Sequence, residues 1–357
     1  MKPLKILFGL STNVSLEAPM GSEIAASSMA HALSKRGHYI QAQNLLWAGF
    51  EPRAFDLVHL WNASGNKGPY ALAGLLAKKE RRPLFATPIF WPLGKGELKA
   101  IYLSSHSKKN VKSYRKLREF IDRALAEALT QADHLCPNSR IEGEKVSQLL
   151  ANHGLPCPPQ TIIPNVFNED LFKDKKYYEW KKRPNWIVCA ARIEPAKNTL
   201  NLIRAFKLLK QEVKDARLYL LGEIAPGYPP MDELACPGLE LVGPQPQKVV
   251  IELLLQSRVH ALLGLHETPG LASLEAAAAG CSIVVSNPEY GSMRDYFSSY
   301  AIETDPFSPK KISQALALAL EENHSELRDL VWEKFRAERV AKDLEALYSE
   351  VIDDGCE

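Results

Sequence analysis

The amino-acid sequence predicts an α/β protein built from two doubly wound parallel-sheet domains that face a cleft. Short apolar runs alternate with helical patterns, and this alternation starts twice, near Lys5 and again near Trp186. Strands that alternate with helices form parallel sheets with crossover helices. The 357 residues are enough for two domains of ordinary size.

The composition is typical of a globular protein. Apolar residues make up 46% of the chain and charged residues 24%, and no apolar run approaches the ~20 residues that a membrane-spanning helix needs. Ser-Thr-Asn follows the first apolar run where a signal peptide would have small residues, which favours a buried strand. The six cysteines are scattered, so we expect reduced thiols, a cytoplasmic location and no metal site.

The two halves of the chain differ in charge. Residues 1–180 carry 24 Lys and Arg against 16 Asp and Glu, whereas the remainder carries 20 against 26. A basic half can meet nucleic acid, an anionic membrane surface or an acidic substrate. No recognised nucleic-acid-binding module accompanies the charge, so we expect no nucleic acid partner.

In the first half, the apolar runs predict strands over 5–10, 39–45, 57–61, 83–88 and 132–139. Helical patterns follow over 22–37, 70–78 and 143–153. Gly21, before the first helix, allows the backbone to approach a ligand closely, although a plain tight turn is the alternative. His59 lies inside an apolar run and is interpreted as a hydrogen-bonded core histidine.

Residues 95–123 have a different character, because nine Lys and Arg are interleaved with aromatic and aliphatic residues. A basic amphipathic helix of this kind fits an anionic membrane face. The alternative is a solvated helix whose apolar stripe packs on the sheet. The membrane interpretation would make the protein peripheral on the inner membrane face.

In the second half, strands are predicted over 186–191, 217–221, 239–242 and 259–265, with helices over 199–212 and 248–256. A turn over 192–198 joins the first of these strands to its helix. The last strand leads into His-Glu-Thr-Pro-Gly-Leu-Ala-Ser-Leu-Glu, which predicts a turn that holds Glu267 and a helix that holds Glu275. Pro269 suits the first turn of that helix, and Gly280 suits its end.

A helix N-terminus attracts anions through its unpaired N–H groups and its dipole. Glu267 precedes this N-terminus, and Glu275 can reach a more distant part of a long ligand. The alternative is that both are ordinary surface acids, which are favoured near a helix start in any case.

With these pieces in place, the chain resembles the retaining glycosyltransferases of family four, which have the GT-B fold of two Rossmann-like domains. The resemblance covers nearly the whole chain. Its strongest parts are the turn from Arg192 to Lys197, similar to that family's donor-phosphate turn, and the pair Glu267-x7-Glu275. Weaker similarities include Gly21 and the C-terminal segment from 331 to 348.

The resemblance implies a nucleoside-diphosphate sugar as co-substrate, with no cofactor. Arg192 and Lys197 would hold the diphosphate, together with the backbone at Gly270 and Leu271 and, from the first domain, Gly21. By the same resemblance, Glu275 would hold ribose hydroxyls and Glu267 would sit beside the transferred sugar. Two cations over the diphosphate, with the helix dipole, would make a divalent metal unnecessary.

One departure from the family pattern lies in the first domain. The family often has a His that contacts the sugar or acceptor after the strand over 83–88, and that position is Ile89 here. The acceptor wall is then assigned to Thr87, Trp91 and Ser139. The expected acceptor is a cell-envelope or lipid-linked glycan.

The sequence therefore predicts an acceptor-side domain over 1–168, a donor domain over 169–337 and a C-terminal helix over 338–357 that packs back on the first domain. The predicted activity is metal-independent, retaining transfer of a sugar. A nucleotide-sugar epimerase of the same fold and a catalytically silent sugar-nucleotide-binding protein are the alternatives.

Overall fold

A computed structural model describes residues 2–10, 21–44, 51–62, 74–75, 77–92, 108–229, 231–268 and 270–354. The chain forms two compact units. Unit 1 contains the described residues within 1–92, 112–167 and 335–354, and unit 2 contains Asn168–Lys334 with residues 108–111. Within these ranges, no helix combines the length and the apolar character needed to cross a bilayer.

Unit 1 is built on a five-stranded sheet with the order β2-β1-β3-β4-β5. Every neighbouring pair in it is parallel, as the alternation of strands and helices predicts, and the order is that of a doubly wound sheet. The strands are β1 (Lys5–Leu10), β2 (Tyr39–Asn44), β3 (Leu57–Trp61), β4 (Leu84–Thr87) and β5 (His134–Leu135).

Four long helices belong to unit 1 or begin at its border. They are α1 (Gly21–Lys35), α2 (Lys108–Leu129), α3 (Arg140–Asn152) and, at the C-terminus, α10 (Ala337–Asp354). The described residues of the predicted helix over 70–78 are helical, and the others lie outside the described ranges.

The C-terminal helix α10 is part of the core of unit 1. Its apolar face packs with α1 and the sheet. Tyr348 Oη lies 2.6 Å from Nδ1 of His59, whose Nε2 lies 2.8 Å from Oγ1 of Thr87. Burial lowers the pKa of His59 to about 3, so this histidine is a neutral, hydrogen-bonded core residue, as interpreted from the sequence.

Unit 2 is built on a six-stranded parallel sheet with the order β11-β10-β9-β6-β7-β8. Numbered within the unit, this is the order 6-5-4-1-2-3 of a dinucleotide-binding sheet. The strands are β6 (Trp186–Ala190), β7 (Arg217–Leu221), β8 (Leu239–Leu241), β9 (Val259–Leu262), β10 (Ser282–Ser286) and β11 (Ile302–Thr304). The strand order reverses between β6 and β9.

The helices of unit 2 are α4 (Thr199–Glu212), α5 (Gln247–Gln256), α6 (Leu271–Ala278), α7 (Met293–Phe297), α8 (Pro309–Glu321) and α9 (Ser325–Lys334). Helices α4 to α7 lie between strands of unit 2, and α8 and α9 follow its last strand. Helix α4 has the predicted bounds, because its apolar positions keep to one face and bury Leu202, Phe206 and Leu209.

Several predicted bounds are wrong for identifiable reasons. The strand predicted over 132–139 has only two residues, His134–Leu135. Helix α3 starts three residues earlier than expected, because Ser139 accepts the N–H of Glu142. Strand β9 ends at Leu262, and three residues later the N–H of Leu265 bonds to the turn after β6 and not to a strand. Helix α6 begins at Leu271; the predicted place of Pro269 in its first turn lies outside the described residues.

Candidate functional site

Two loops meet at the carboxyl ends of β6 and β9, where the strand order of unit 2 reverses. In parallel α/β sheets, ligands bind at such a point, because helices leave on opposite faces and open a crevice. After β6 the chain makes a single 3₁₀ turn, Pro195–Lys197. The N–H of Leu265, just after β9, donates to the carbonyl of Ala196 at 2.9 Å and joins the loops.

An ion pair spans these two loops. Lys197 Nζ lies 2.8 Å from Oε1 of Glu267, and Glu267 is only 4% exposed. A buried carboxylate is stable only when it is paired or hydrogen-bonded. Cys189, buried in β6 nearby, has its pKa raised to about 12 by burial, so it adds no charge to the pair.

Three glycines leave room for the Glu267 side chain and its backbone. A Cβ on Gly264 would lie 2.0 Å from Oε1 of Glu267, and one on Gly270 would lie 3.3 Å from Oε2. A Cβ on Gly291 would lie 2.8 Å from the Glu267 carbonyl oxygen. Any side chain at Gly264 or Gly291 would therefore displace the acid.

The backbone of Glu267 is held on both sides by the loop after β10. Its N–H donates to the carbonyl of Tyr290 at 3.1 Å, and its carbonyl accepts the N–H of Ser292 at 2.8 Å. Glu267 and Gly291 form an isolated parallel bridge. The acid is thus fixed at its side chain and at both backbone groups before any ligand binds.

Arg192 lies on the same turn as Lys197 but has another partner. Its Nη2 is 3.0 Å from Oε1 of Glu194, and its side chain is 56% exposed. The turn lies close to the loop after β7, where a Cβ on Gly222 would lie 2.1 Å from the carbonyl oxygen of Ala191. An exposed arginine on a fixed turn can change partners at little cost.

Glu275 lies inside α6, as predicted, and is 5% exposed. Its carboxylate accepts a hydrogen bond from Nε2 of Gln247 at the start of α5. Burial raises the pKa of Glu275 to about 7, against the lowering effect of that hydrogen bond. Gly270 is the N-cap of α6 and Leu271 its first residue.

The predicted acceptor-side residues lie in unit 1, at or just after the ends of β4 and β5. Thr87 is buried against His59. The ring of Trp91 lies under Lys145, whose Nζ is 4.3 Å from the ring centroid. Ser139 caps α3. Gly21 is the first residue of α1 in the same unit.

A buried carboxylate that the sequence did not single out ties these two loops of unit 1 together. Glu142 accepts the backbone N–H of Phe90 at 2.5 Å and of Asn138 at 2.6 Å. Burial raises its pKa to about 7, although both hydrogen bonds lower it. Beside Phe90, Ile89 has φ +50°, a conformation rarely adopted by a β-branched residue, and its side chain is half-buried.

The structure therefore brings Lys197, Glu267 and Gly270 together and turns Arg192 toward Glu194. The sequence patterns did not indicate a role for Gln247, Gly264 or Glu142. The contacts from Gln247 to Glu275 and from Glu142 to Phe90 join residues that are distant in sequence. Gly264 lies in an apolar run that predicted a strand. In the described ranges, no cluster of three or more His, Cys, Asp or Glu side chains is arranged to hold a metal ion.

Comparison with known proteins supports a glycosyltransferase. Residues 171–334 match the family described as glycosyl transferases group 1. This segment nearly coincides with unit 2 and includes the Lys197–Glu267 pair. No curated protein matches the chain in sequence.

Solved structures show the fold of the whole chain. Alr3699/HepE of Anabaena in complex with UDP has a TM-score of 0.70 at 13% identity, covering 97% of this chain and 100% of its own. Sucrose-phosphate synthase of Thermosynechococcus elongatus has a TM-score of 0.72 at 16% identity, covering 98% and 100%. Trehalose 6-phosphate synthase of Burkholderia multivorans has a TM-score of 0.68 at 10% identity, covering 99% and 98%. The predicted GT-B fold, with two parallel-sheet α/β domains, is confirmed.

The Gly264→Ala substitution tests whether the glycine at this position makes room for Glu267. Because the new Cβ would overlap Oε1 of Glu267, we expect the free energy of unfolding to fall by about 1–3 kcal/mol. A double-mutant cycle with Glu267→Ala, followed by urea denaturation, measures the coupling. An equal cost of Gly264→Ala in both backgrounds would contradict the assignment.

The Glu142→Gln substitution tests the link between the loops of unit 1. One amide oxygen can accept one N–H, but the amide NH₂ faces the other donor, so we expect a loss of about 1–3 kcal/mol in unfolding free energy. Hydrogen exchange at the amides of Phe90 and Asn138 should accelerate. The control is Glu144→Gln on the same helix, whose exposed pair with Arg140 contributes less than about 1 kcal/mol. Unchanged protection at both amides would disprove the link.

Proposed function

We propose that this protein is a retaining glycosyltransferase of family four that moves a sugar from a nucleoside-diphosphate sugar to a glycan acceptor. The observation that carries the proposal is the pair between the half-buried Lys197 and the buried Glu267, at 2.8 Å. It lies where the strand order of unit 2 reverses, inside the segment that matches the group 1 family. The proposal takes unit 2 as the donor domain and unit 1 as the acceptor domain.

In the proposed reaction, the bond between the anomeric carbon and the diphosphate oxygen breaks, and its electron pair leaves with the diphosphate. Arg192 forks onto the diphosphate oxygens once it leaves Glu194, and Lys197 supplies a second positive charge. The N–H groups at Gly270 and Leu271 add the dipole of α6. With this positive charge in place, a divalent metal is not required.

The acceptor oxygen attacks the anomeric carbon on the face from which the diphosphate leaves, so the configuration is retained. The proton of the acceptor hydroxyl passes to a diphosphate oxygen. Glu267 orients the sugar hydroxyls and stabilises the positive charge that develops on the sugar ring, without forming a covalent bond. Its fixed backbone and its pair with Lys197 hold the carboxylate in place for this role.

On the acceptor side, we assign Ile89 to the acceptor-binding surface of unit 1. Thr87 and Ser139 are buried, and each is already hydrogen-bonded within unit 1. We therefore assign them the role of stabilising this edge of the sheet. Ile89 is half-buried and offers an apolar surface where the family often has a His. A lipid-linked or cell-envelope glycan is the proposed acceptor class.

The catalytic assignment is tested by incubating the protein with a panel of nucleotide sugars and measuring nucleoside diphosphate release. We expect release by the wild type and a loss of about 100-fold or more in Glu267→Gln and in Arg192→Ala, because each removes a charge that stabilises the transition state. The control is Glu240→Gln on β8, because Glu240 forms an exposed pair with Arg217 of β7.

The other outcomes separate the alternatives. A new free sugar isomer without transfer would identify a nucleotide-sugar epimerase. Binding without turnover would identify a silent sugar-nucleotide-binding protein, a function that Ile89 in place of the usual His would favour. Full activity in both variants would overturn the roles of Glu267 and Arg192.

We also propose that α2 docks on an anionic membrane face. Of the segment 95–123, residues 95–107 lie outside the described ranges. In the part described, Leu117 is 55% and Phe120 is 72% exposed among Lys and Arg side chains, whereas only the last turns of α2 pack in the core. Exposed apolar side chains flanked by cations suit an anionic lipid surface.

Flotation with vesicles that contain anionic lipid tests this docking. We expect the wild type to float and the triple change of Lys108, Lys109 and Lys112 to Glu to reduce recovery by about tenfold or more, since each basic residue contributes about 1 kcal/mol at such a surface. The matched control changes Lys173, Lys181 and Lys182, exposed lysines of unit 2, to Glu. Equal recovery of wild type and α2 variant would disprove membrane docking.

A further inference from the structure

The amide of Gln247 contacts the buried acid Glu275 across two helices of unit 2. Gln247 is the first residue of α5, and Glu275 lies in the middle of α6. The two helices pack against each other, and Nε2 of Gln247 donates to Oε1 of Glu275. Gln247 is half-buried, so its side chain remains partly accessible to solvent beside the buried Glu275.

This contact is the hydrogen bond that the carboxylate of Glu275 receives within the described part of the chain. Burial raises the pKa of Glu275 to about 7, and the bond from Gln247 acts in the opposite direction. The carboxylate is therefore partly protonated near neutral pH, and its charge depends on a single neutral donor. Loss of that donor would leave a buried acid with nothing to favour its ionised form.

The elements packed against α6 are β9, β10, α5 and α9, and three of them carry titratable groups. In β9, His260 bonds to Ser273 and its pKa is lowered to about 3 by burial, so it is neutral. In α5, Glu252 pairs with Lys175, and Lys248 is exposed. Strand β10 has no titratable side chain. Helix α9 carries Glu326, Arg328, Asp329, Glu333 and Lys334, of which Arg328 lies over Tyr177.

We propose that Gln247 is a positioning residue that holds the Glu275 carboxylate in the orientation that accepts the ribose hydroxyls of a nucleoside diphosphate. A carboxylate has about four acceptor positions. Gln247 uses one of them, which leaves enough for the two neighbouring hydroxyls of a ribose. This inference rests on the proposed function, in which Glu275 binds the ribose. It adds Gln247 as the residue that orients the Glu275 carboxylate.

The test is calorimetric binding of UDP between pH 6 and pH 8.5. Wild-type affinity should rise with pH as Glu275 ionises, and Glu275→Gln should lack that rise while retaining any titration of UDP itself. Gln247→Met keeps the length of the side chain but has no donor. We expect it to weaken UDP binding about tenfold at pH 7, the value of one hydrogen bond to a charged group, and by less at pH 8.5.

Gln245→Met is the matched control, because Gln245 lies two residues before Gln247, on the loop that precedes α5, and its amide donates to the carbonyl of Val242 at 3.2 Å. It should bind UDP as the wild type does. A Gln247→Met profile that coincides with the wild type would overturn the proposal. Tighter binding by Gln247→Met would also overturn it, because Gln247 would then compete with the ligand for the carboxylate.

A second measurement decides the matter if the wild type binds no nucleoside diphosphate, an outcome that would disprove the proposed function. Burial raises the folded-state pKa of Glu275 to about 7, above the value of about 4.5 that a glutamate has in the unfolded chain. Relative to Glu275→Gln, stability should therefore fall as pH rises from about 4.5 and level off near pH 7. In Gln247→Met the fall should extend to higher pH. An unchanged plateau would overturn the positioning role.

Discussion

The hydrogen bond from the N–H of Leu265 to the carbonyl of Ala196 is the constraint on which the organisation of unit 2 depends. It joins the loops that follow two adjacent strands, β6 and β9, whose helices continue in different directions because the strand order reverses there. The Lys197–Glu267 ion pair is a second link between the same loops. With both links, the separation of Lys197 and Glu267 is set by the sheet, which is the most rigid part of the unit.

Three buried carboxylates are stabilised in three different ways. Glu267 has a lysine partner, Glu142 accepts two backbone N–H groups, and Glu275 has one side-chain amide. Burial raises the pKa of Glu142 and that of Glu275 to about 7, although the hydrogen bonds that each accepts act in the opposite direction. A partner of full opposite charge can balance the charge of a buried carboxylate, whereas a single neutral donor leaves the carboxyl group close to protonation at neutral pH.

The sequence predicted the sheets well, because short apolar runs between helical patterns define parallel strands regardless of their order. It also predicted which turns carry Lys197 and Glu267, since both follow such runs. It did not predict strand order, which is set by pairing between strands, or the early end of β9, because both depend on contacts between residues that are distant in the sequence. Gln247 and Glu142 were beyond reach for the same reason. Gln247 lies 28 residues from Glu275, and Glu142 lies 52 residues from Phe90, so no local pattern reveals these two contacts.

The C-terminal helix α10 supplies Val340, Leu344, Leu347 and Tyr348 to the core of unit 1, although almost all of unit 2 precedes it in the chain. The N–H of Phe167 donates to the carbonyl of Phe335, and the N–H of Ala337 donates to the carbonyl of Phe167, so the chain leaves and re-enters unit 1 at adjacent residues. This has a consequence for biosynthesis. Domains fold as they leave the ribosome, so unit 2 has all of Asn168–Lys334 while unit 1 still lacks part of its core. The first half of the chain therefore spends most of translation with an apolar surface uncovered, and the last 18 residues of helix close it.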